Sequence, residues 1–86
     1  MNDELKKHIK KVLKALNLLK KWKYLPDVQK AIGCSYSLLD SLYSEVKLDK
    51  RKMKILGSCL GILKTDVFKG DEVIRNNIDE ILSFLK

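Results

Sequence analysis

The chain has 86 residues, of which 45% are hydrophobic and 34% are charged. This length has room for one hydrophobic core, and the composition is that of a folded domain rather than a disordered chain. The apolar runs are shorter than the ~20 residues that a helix needs to cross a bilayer, so neither a membrane-spanning protein nor a membrane partner is expected.

Basic residues are concentrated in the first part of the chain. Residues 1–54 contain fourteen basic and six acidic side chains, whereas residues 55–86 contain four and five. Such a surface favours an anionic partner, of which nucleic acid is the commonest. An anionic membrane or an acidic protein would also fit this charge.

Residues 3–22 have the periodicity of an amphipathic helix. Asp3 and Glu4 suit its first turn, where the helix dipole stabilises negative charge. One face is hydrophobic: Leu5, Ile9, Val12, Leu13, Leu16 and Leu19. The other face is basic: Lys6, Lys7, Lys10, Lys11, Lys14 and Lys21.

Two short helices joined by a tight turn are predicted next. Pro26 suits the first position of a helix, and Gly33 ends that helix after about seven residues because glycine adopts a left-handed backbone cheaply. Ser35 then caps a third helix. The inner side chains of the pair are Val28, Ala31 and Ile32, then Leu38, Leu39, Leu42 and Val46.

The remainder of the chain predicts two more helices. Asp49 caps a fourth helix that Gly61 ends, residues 65–70 form one short turn, and a fifth helix starts from Asp71. The expected fold is therefore all-α, with five helices in one compact domain over residues 1–86. Its amphipathic C-terminal helix covers about residues 71–86.

Residues 25–42, LPDVQKAIGCSYSLLDSL, resemble the helix-turn-helix of the lambda-repressor-like family, with Gly33 at the turn. The basic run Lys50-Arg51-Lys52 and the segment ending in Leu60-Gly61-Ile62 extend the resemblance over roughly residues 25–68. The resemblance implies that the third helix enters the major groove of double-stranded DNA while basic groups hold the phosphates. The residues that match DNA-contacting positions, or assist them electrostatically, are Lys30, Ser35, Tyr36, Ser37, Asp40, Ser41, Lys47, Lys50, Arg51, Lys52 and Lys54.

Two functional hypotheses follow. The first is a small DNA-binding transcriptional regulator of the phage or mobile-element type. The second is an interaction module of helix-turn-helix shape that docks on a partner protein, because the recognition face lacks the Arg, Lys, Asn and Gln side chains that pair with base edges. That surface would be formed by Tyr36, Ser37, Asp40 and Ser41, or by the terminal helix.

The terminal helix also suggests a homodimer, since paired helix-turn-helix proteins often read two half-sites. Its hydrophobic stripe would form the interface. The residues concerned are Val73, Ile74, Ile78, Ile81, Leu82 and Leu85.

Catalysis, metals and cofactors are not expected. His8 stands among lysines without a nucleophile or paired carboxylates, and it is interpreted as an exposed helix residue. Cys34 and Cys59 form no CxxC pair and are interpreted as small buried side chains. The N-terminus runs directly into the lysine-rich helix pattern, which favours a cytoplasmic protein.

Overall fold

The structure is a computed structural model that describes residues 2–86, and its regular elements are all helical. Helix α1 spans Asp3–Leu18, α2 Pro26–Tyr43, α3 Lys50–Asp66 and α4 Glu72–Leu85, and one turn of 3-10 helix follows α1 at Leu19–Lys21. No strand occurs within these described residues. The predicted all-α class is confirmed, whereas the predicted number of five helices is wrong.

The helix starts follow local capping chemistry. The Asp49 carboxylate accepts the backbone N–H of Lys52 at 2.8 Å, and the Asp71 carboxylate accepts that of Ile74 at 3.1 Å. Each cap satisfies one of the backbone donors that a helix leaves unpaired at its start. The cap at Asp49 was predicted, as were the start of the last helix at Asp71 and Pro26 at the first position of its helix.

Consecutive helices run antiparallel around one core. The Lys6 Nζ, near the start of α1, lies 3.8 Å from Oε1 of Glu45, which follows the end of α2. Met53, near the start of α3, and Phe84, near the end of α4, line one cleft. Within residues 2–86, no Cα atom of α1 lies within 8 Å of one in α3, and the same holds for α2 and α4. The helices therefore form a ring of four, with α1 and α3 at opposite corners. None of them combines the length and apolar character that crossing a bilayer requires.

All four helices contribute fully buried side chains to the core. The Cα radius of gyration is 11.8 Å, close to the ~12 Å expected for a compact chain of this length. The largest fully buried side chains are Ile9, Val12 and Leu16 from α1, Leu39 from α2, Leu56, Leu60 and Leu63 from α3, and Ile78 and Ile81 from α4.

The predicted turn at Gly33 is absent, because α2 is one helix that continues through residues 33–35. Its buried positions are Val28, Ala31, Ile32, Ser35, Leu39 and Leu42. These positions follow the helical repeat without a break, so one uninterrupted helix buries all of them. A glycine inside a helix costs only about 0.5–1 kcal/mol relative to alanine, which is less than the burial of a single leucine contributes.

Replacing Gly33 with alanine is expected to stabilise the protein. Gly33 has no positive φ, and a Cβ added there meets no atom within 4 Å. The free energy of unfolding should rise by about 0.5–1 kcal/mol, which is measurable by denaturant titration. A decrease would indicate that Gly33 adopts the left-handed conformation of a turn.

Helix α3 also passes through a glycine that was predicted to end it. Gly61 lies inside Lys50–Asp66, and the Thr65 hydroxyl donates to its carbonyl at 3.0 Å. Leu60 and Leu63 are both fully buried on the same face of α3, so ending the helix at Gly61 would remove Leu63 from the core. The short turn predicted at residues 65–70 is present only at 67–70, because Thr65 and Asp66 still belong to α3.

Candidate nucleic-acid interface

The predicted recognition residues do not form one exposed surface. Ser35 is fully buried, and Tyr36 is half-buried against the core, with the Lys20 ammonium 4.8 Å from its ring centroid. Ser37 and Asp40 are exposed, and Ser41 is half-buried. Ser35 therefore cannot contact a base, and the structure contradicts its predicted role.

The burial of Ser35 follows from the continuity of α2, since position 35 falls on the inner stripe between Ile32 and Leu39. Its hydroxyl oxygen has no hydrogen-bond partner among the described residues. An unpaired buried hydroxyl costs roughly 1–3 kcal/mol. Ser35 thus occupies a core position at which a hydroxyl contributes no stabilising hydrogen bond.

Lys30 is exposed, but it is separated from the other predicted DNA-contacting lysines. It lies near the start of α2 in a groove that Ile62 of α3 also lines. Because α2 and α3 are antiparallel, this groove is at the far end of α3 from Lys50–Lys54. Lys30 therefore does not belong to the same surface.

The remaining predicted basic residues do come together. Lys47, Lys50, Arg51, Lys52 and Lys54, here called the α3 basic surface, are all exposed at the start of α3. Lys86 lines one groove with Lys50 and Lys54 and extends this surface. Sequence reasoning missed Lys86 because only the packing of α4 against α3 brings it there.

The charge at the start of α3 opposes the helix dipole. Among the four helices of residues 2–86, the other three carry an acidic side chain in the first turn, whereas α3 carries none and has Lys50, Arg51 and Lys52 there. A basic side chain at a helix N-terminus is unfavourable by a few tenths of a kcal/mol to about 1 kcal/mol. The backbone donors and the three cations together are suited to bind anions.

The carboxylates beside this surface have partners of their own. Asp49 caps α3 through the N–H of Lys52. Glu45 forms an ion pair with Lys6, at 3.8 Å. The five basic side chains of the α3 basic surface outnumber these two carboxylates, so the local charge remains positive.

An apolar cleft adjoins the α3 basic surface at the same end of the bundle. The cleft has a volume of about 440 Å³, and Met53 is common to it and to the groove of Lys50 and Lys54. Val46 is 55% exposed and Phe84 48% exposed at its rim. An apolar group that entered this cleft would be shielded from water.

A second basic surface lies at the opposite corner of the bundle. It consists of Lys7, Lys10, Lys11 and Lys14, here called the α1 basic surface, and all four are exposed. Since α1 and α3 are diagonal in the ring, the two surfaces face in different directions. One straight duplex cannot lie along both of them at once.

The hydrophobic stripe of α4 that was predicted to form a dimer interface is largely buried within the bundle. Ile78 and Ile81 are fully buried, while Ile74, Leu82 and Leu85 are partly buried and pack against the core. Val73 alone of the six is exposed, at 64%. These residues therefore form no continuous exposed stripe for a second copy, because α4 covers its own bundle with them.

His8 is half-buried instead of exposed, and it joins α1 to α4. Its Nδ1 lies 2.7 Å from the Asn77 side-chain oxygen. The Asn77 amide group donates to the Val73 carbonyl at 2.8 Å, so the remaining oxygen accepts and His8 Nδ1 donates. This pair satisfies the buried amide of Asn77.

Two further observations concern metals and thiols. No cluster of three or more His, Cys, Asp or Glu side chains suited to a metal ion occurs within residues 2–86. Cys34 and Cys59 are half-exposed instead of buried, and both line the groove that contains Lys30.

Comparison of the chain with protein-family models, with curated proteins and with solved structures finds no match.

Proposed function

We propose that this chain binds the phosphate backbone of double-stranded DNA through the α3 basic surface. The observation that carries the proposal is the concentration of Lys50, Arg51 and Lys52 in the first turn of α3, against the helix dipole. An anion bound there would relieve this repulsion and accept hydrogen bonds from backbone and side-chain donors alike.

The composition of the α3 basic surface suits contacts with phosphates rather than with base edges. Its five side chains surround the start of one helix, and long flexible lysines reach phosphates without a fixed geometry. Neutralising phosphates releases condensed counterions, which supplies most of the affinity of sequence-independent binding.

Recognition of a specific operator is not part of the proposal. Ser35 is buried and Tyr36 is half-buried against the core, which leaves Ser37, Asp40 and part of Ser41 on the outer side of α2. None of these side chains makes the bidentate contacts that distinguish guanine or adenine, and the Asp40 carboxylate repels phosphate. Binding with little sequence preference is the expected behaviour.

The salt dependence of duplex binding tests the proposal. Five neutralised phosphates give a slope of about −4.5 for log K against log salt, so affinity should fall roughly 500-fold between about 50 and about 200 mM salt. Fluorescence anisotropy of a labelled mixed-sequence duplex measures this slope directly. Absence of binding at about 50 mM salt would exclude the proposal.

That negative outcome would favour the alternative expected from the sequence, docking on a protein. The apolar cleft beside Val46 and Phe84 would then be the surface to test, since its exposed apolar side chains are the kind that a protein partner buries.

A further inference from the structure

We propose that Cys34 and Cys59 form a dithiol site that reacts with low-molecular-weight disulfides and closes to an internal disulfide between α2 and α3. The inference is independent of DNA binding. It starts from the positions of the two cysteines, which are the only ones in the chain.

The fold brings the two thiols together although they belong to different helices. Cys34 lies in the middle of α2 and Cys59 in the middle of α3, and the antiparallel packing of these helices places both on the wall of one groove. The Cys34 thiol is also a neighbour that raises the pKa of the Cys59 thiol. Both are free and half-exposed, so a small reagent can reach them.

The groove supplies room and charge for such a reagent. It has a volume of about 560 Å³ and is otherwise lined by Asp27, Lys30, Ala31 and Ile62. Lys30 provides a cation close to the thiols, which favours approach of an anionic disulfide such as oxidised glutathione. Asp27 is the acidic group on the same wall.

The two thiols have different roles in the reaction. Burial, and after it the neighbouring Cys34 thiol, together raise the pKa of Cys59 to about 11. Very little Cys59 is thiolate at neutral pH, so Cys59 is a poor attacking group. Cys34 is therefore the thiol that reacts first.

The reaction balances in two exchanges. The Cys34 sulfur attacks one sulfur of oxidised glutathione, forming a mixed disulfide and releasing one glutathione thiol, which takes up the proton. The Cys59 sulfur then attacks the Cys34 sulfur, and the second glutathione leaves as a thiol. Both protein thiols are oxidised and one glutathione disulfide is reduced.

The test is incubation of the folded protein with excess oxidised glutathione at about pH 8, followed by mass spectrometry of the intact chain and of its peptides. We expect a product lighter than the reduced chain by two hydrogen atoms, with Cys34 joined to Cys59. The melting temperature should rise by about 10 °C or more, because the disulfide restricts the unfolded chain. A folded chain that stays reduced or that accumulates only glutathione adducts would overturn the proposal.

Two single variants separate the roles. Cys59→Ser should stop at a glutathione adduct on Cys34, while Cys34→Ser should react at least about tenfold more slowly because only the high-pKa thiol remains. Equal rates for the two variants would contradict the assignment of Cys34 as the first thiol to react. Repeating the reaction on the parent chain in denaturant provides the reference. If the folded chain formed the Cys34–Cys59 disulfide no more favourably than the denatured chain, the fold would not be what brings the two thiols together.

Discussion

Reversing three charges at the start of α3 should abolish DNA binding while the fold persists. In the variant with Lys50, Arg51 and Lys52 each replaced by Glu, phosphate repulsion replaces three contacts. We expect affinity at about 50 mM salt to fall a hundredfold or more, and the salt slope to decrease by about three. The helix should tolerate the change, because acidic side chains in the first turn suit the helix dipole. Anisotropy titration measures the binding, and circular dichroism verifies the fold.

The matched control reverses the same number of charges at the opposite corner. Replacing Lys7, Lys10 and Lys14 by Glu lowers the net charge by the same amount but leaves the α3 basic surface intact. This variant should lose much less affinity than the first. Equal losses would mean that overall charge, and not this surface, drives the binding.

Placing an arginine at Ser35 should unfold most of the protein. Ser35 is fully buried between the core residues Ile32 and Leu39, so the larger side chain would both overpack the core and bury a charge. The expected loss exceeds about 4 kcal/mol, a large part of the ~5–15 kcal/mol that keeps a domain folded. Thermal and denaturant unfolding followed by circular dichroism measure it.

Ser37→Arg, which introduces the same side chain two residues further along α2, is the control for the stability of Ser35→Arg. Ser37 is on the exposed side of α2, and Ser37→Arg should change the stability by no more than about 0.5 kcal/mol. If Ser35→Arg were as stable as Ser37→Arg, position 35 would be at the surface, as a helix-turn-helix requires.

The parts of the fold that could be predicted are those with strong local signals. The amphipathic stripes of α1 and α4 and the caps Asp49 and Asp71 were all recognisable from spacing and residue type. Glycine was the misleading signal, because it was interpreted as a helix stop at Gly33 and at Gly61. The inner stripe of α2 also includes the small residue Ser35, and counting it as a core position would have shown that the repeat does not break.

The candidate site was predictable only in part, for the same reason. The lysines and the arginine of the α3 basic surface are exposed wherever the helix begins, so their accessibility did not depend on the exact topology. Ser35 and Tyr36 were misplaced because their exposure depends on whether α2 turns at Gly33. Because a turn was predicted at Gly33, Ser35 was expected to contact a base, whereas it lies in the core.

Contacts between distant parts of the chain had no local signal. His8 pairs with Asn77 across 69 positions, and Cys34 and Cys59 line one groove through the register of α2 on α3. Such pairs depend on how the helices are aligned, which a single sequence does not specify. Both pairs follow from the packing of the four helices around their core.

The continuity of α2 decides which of its side chains are exposed, because it places Ser35 on the buried side of the helix. The Cα chemical shifts of residues 30–38, measured by NMR on isotope-labelled protein, test it most directly. We predict helical shifts at every position, with slow amide exchange at Cys34 and Ser35 since both lie inside the hydrogen-bonded helix. Non-helical shifts at residues 33–35, with rapid amide exchange there, would contradict the single helix and restore the two-helix motif expected from the sequence.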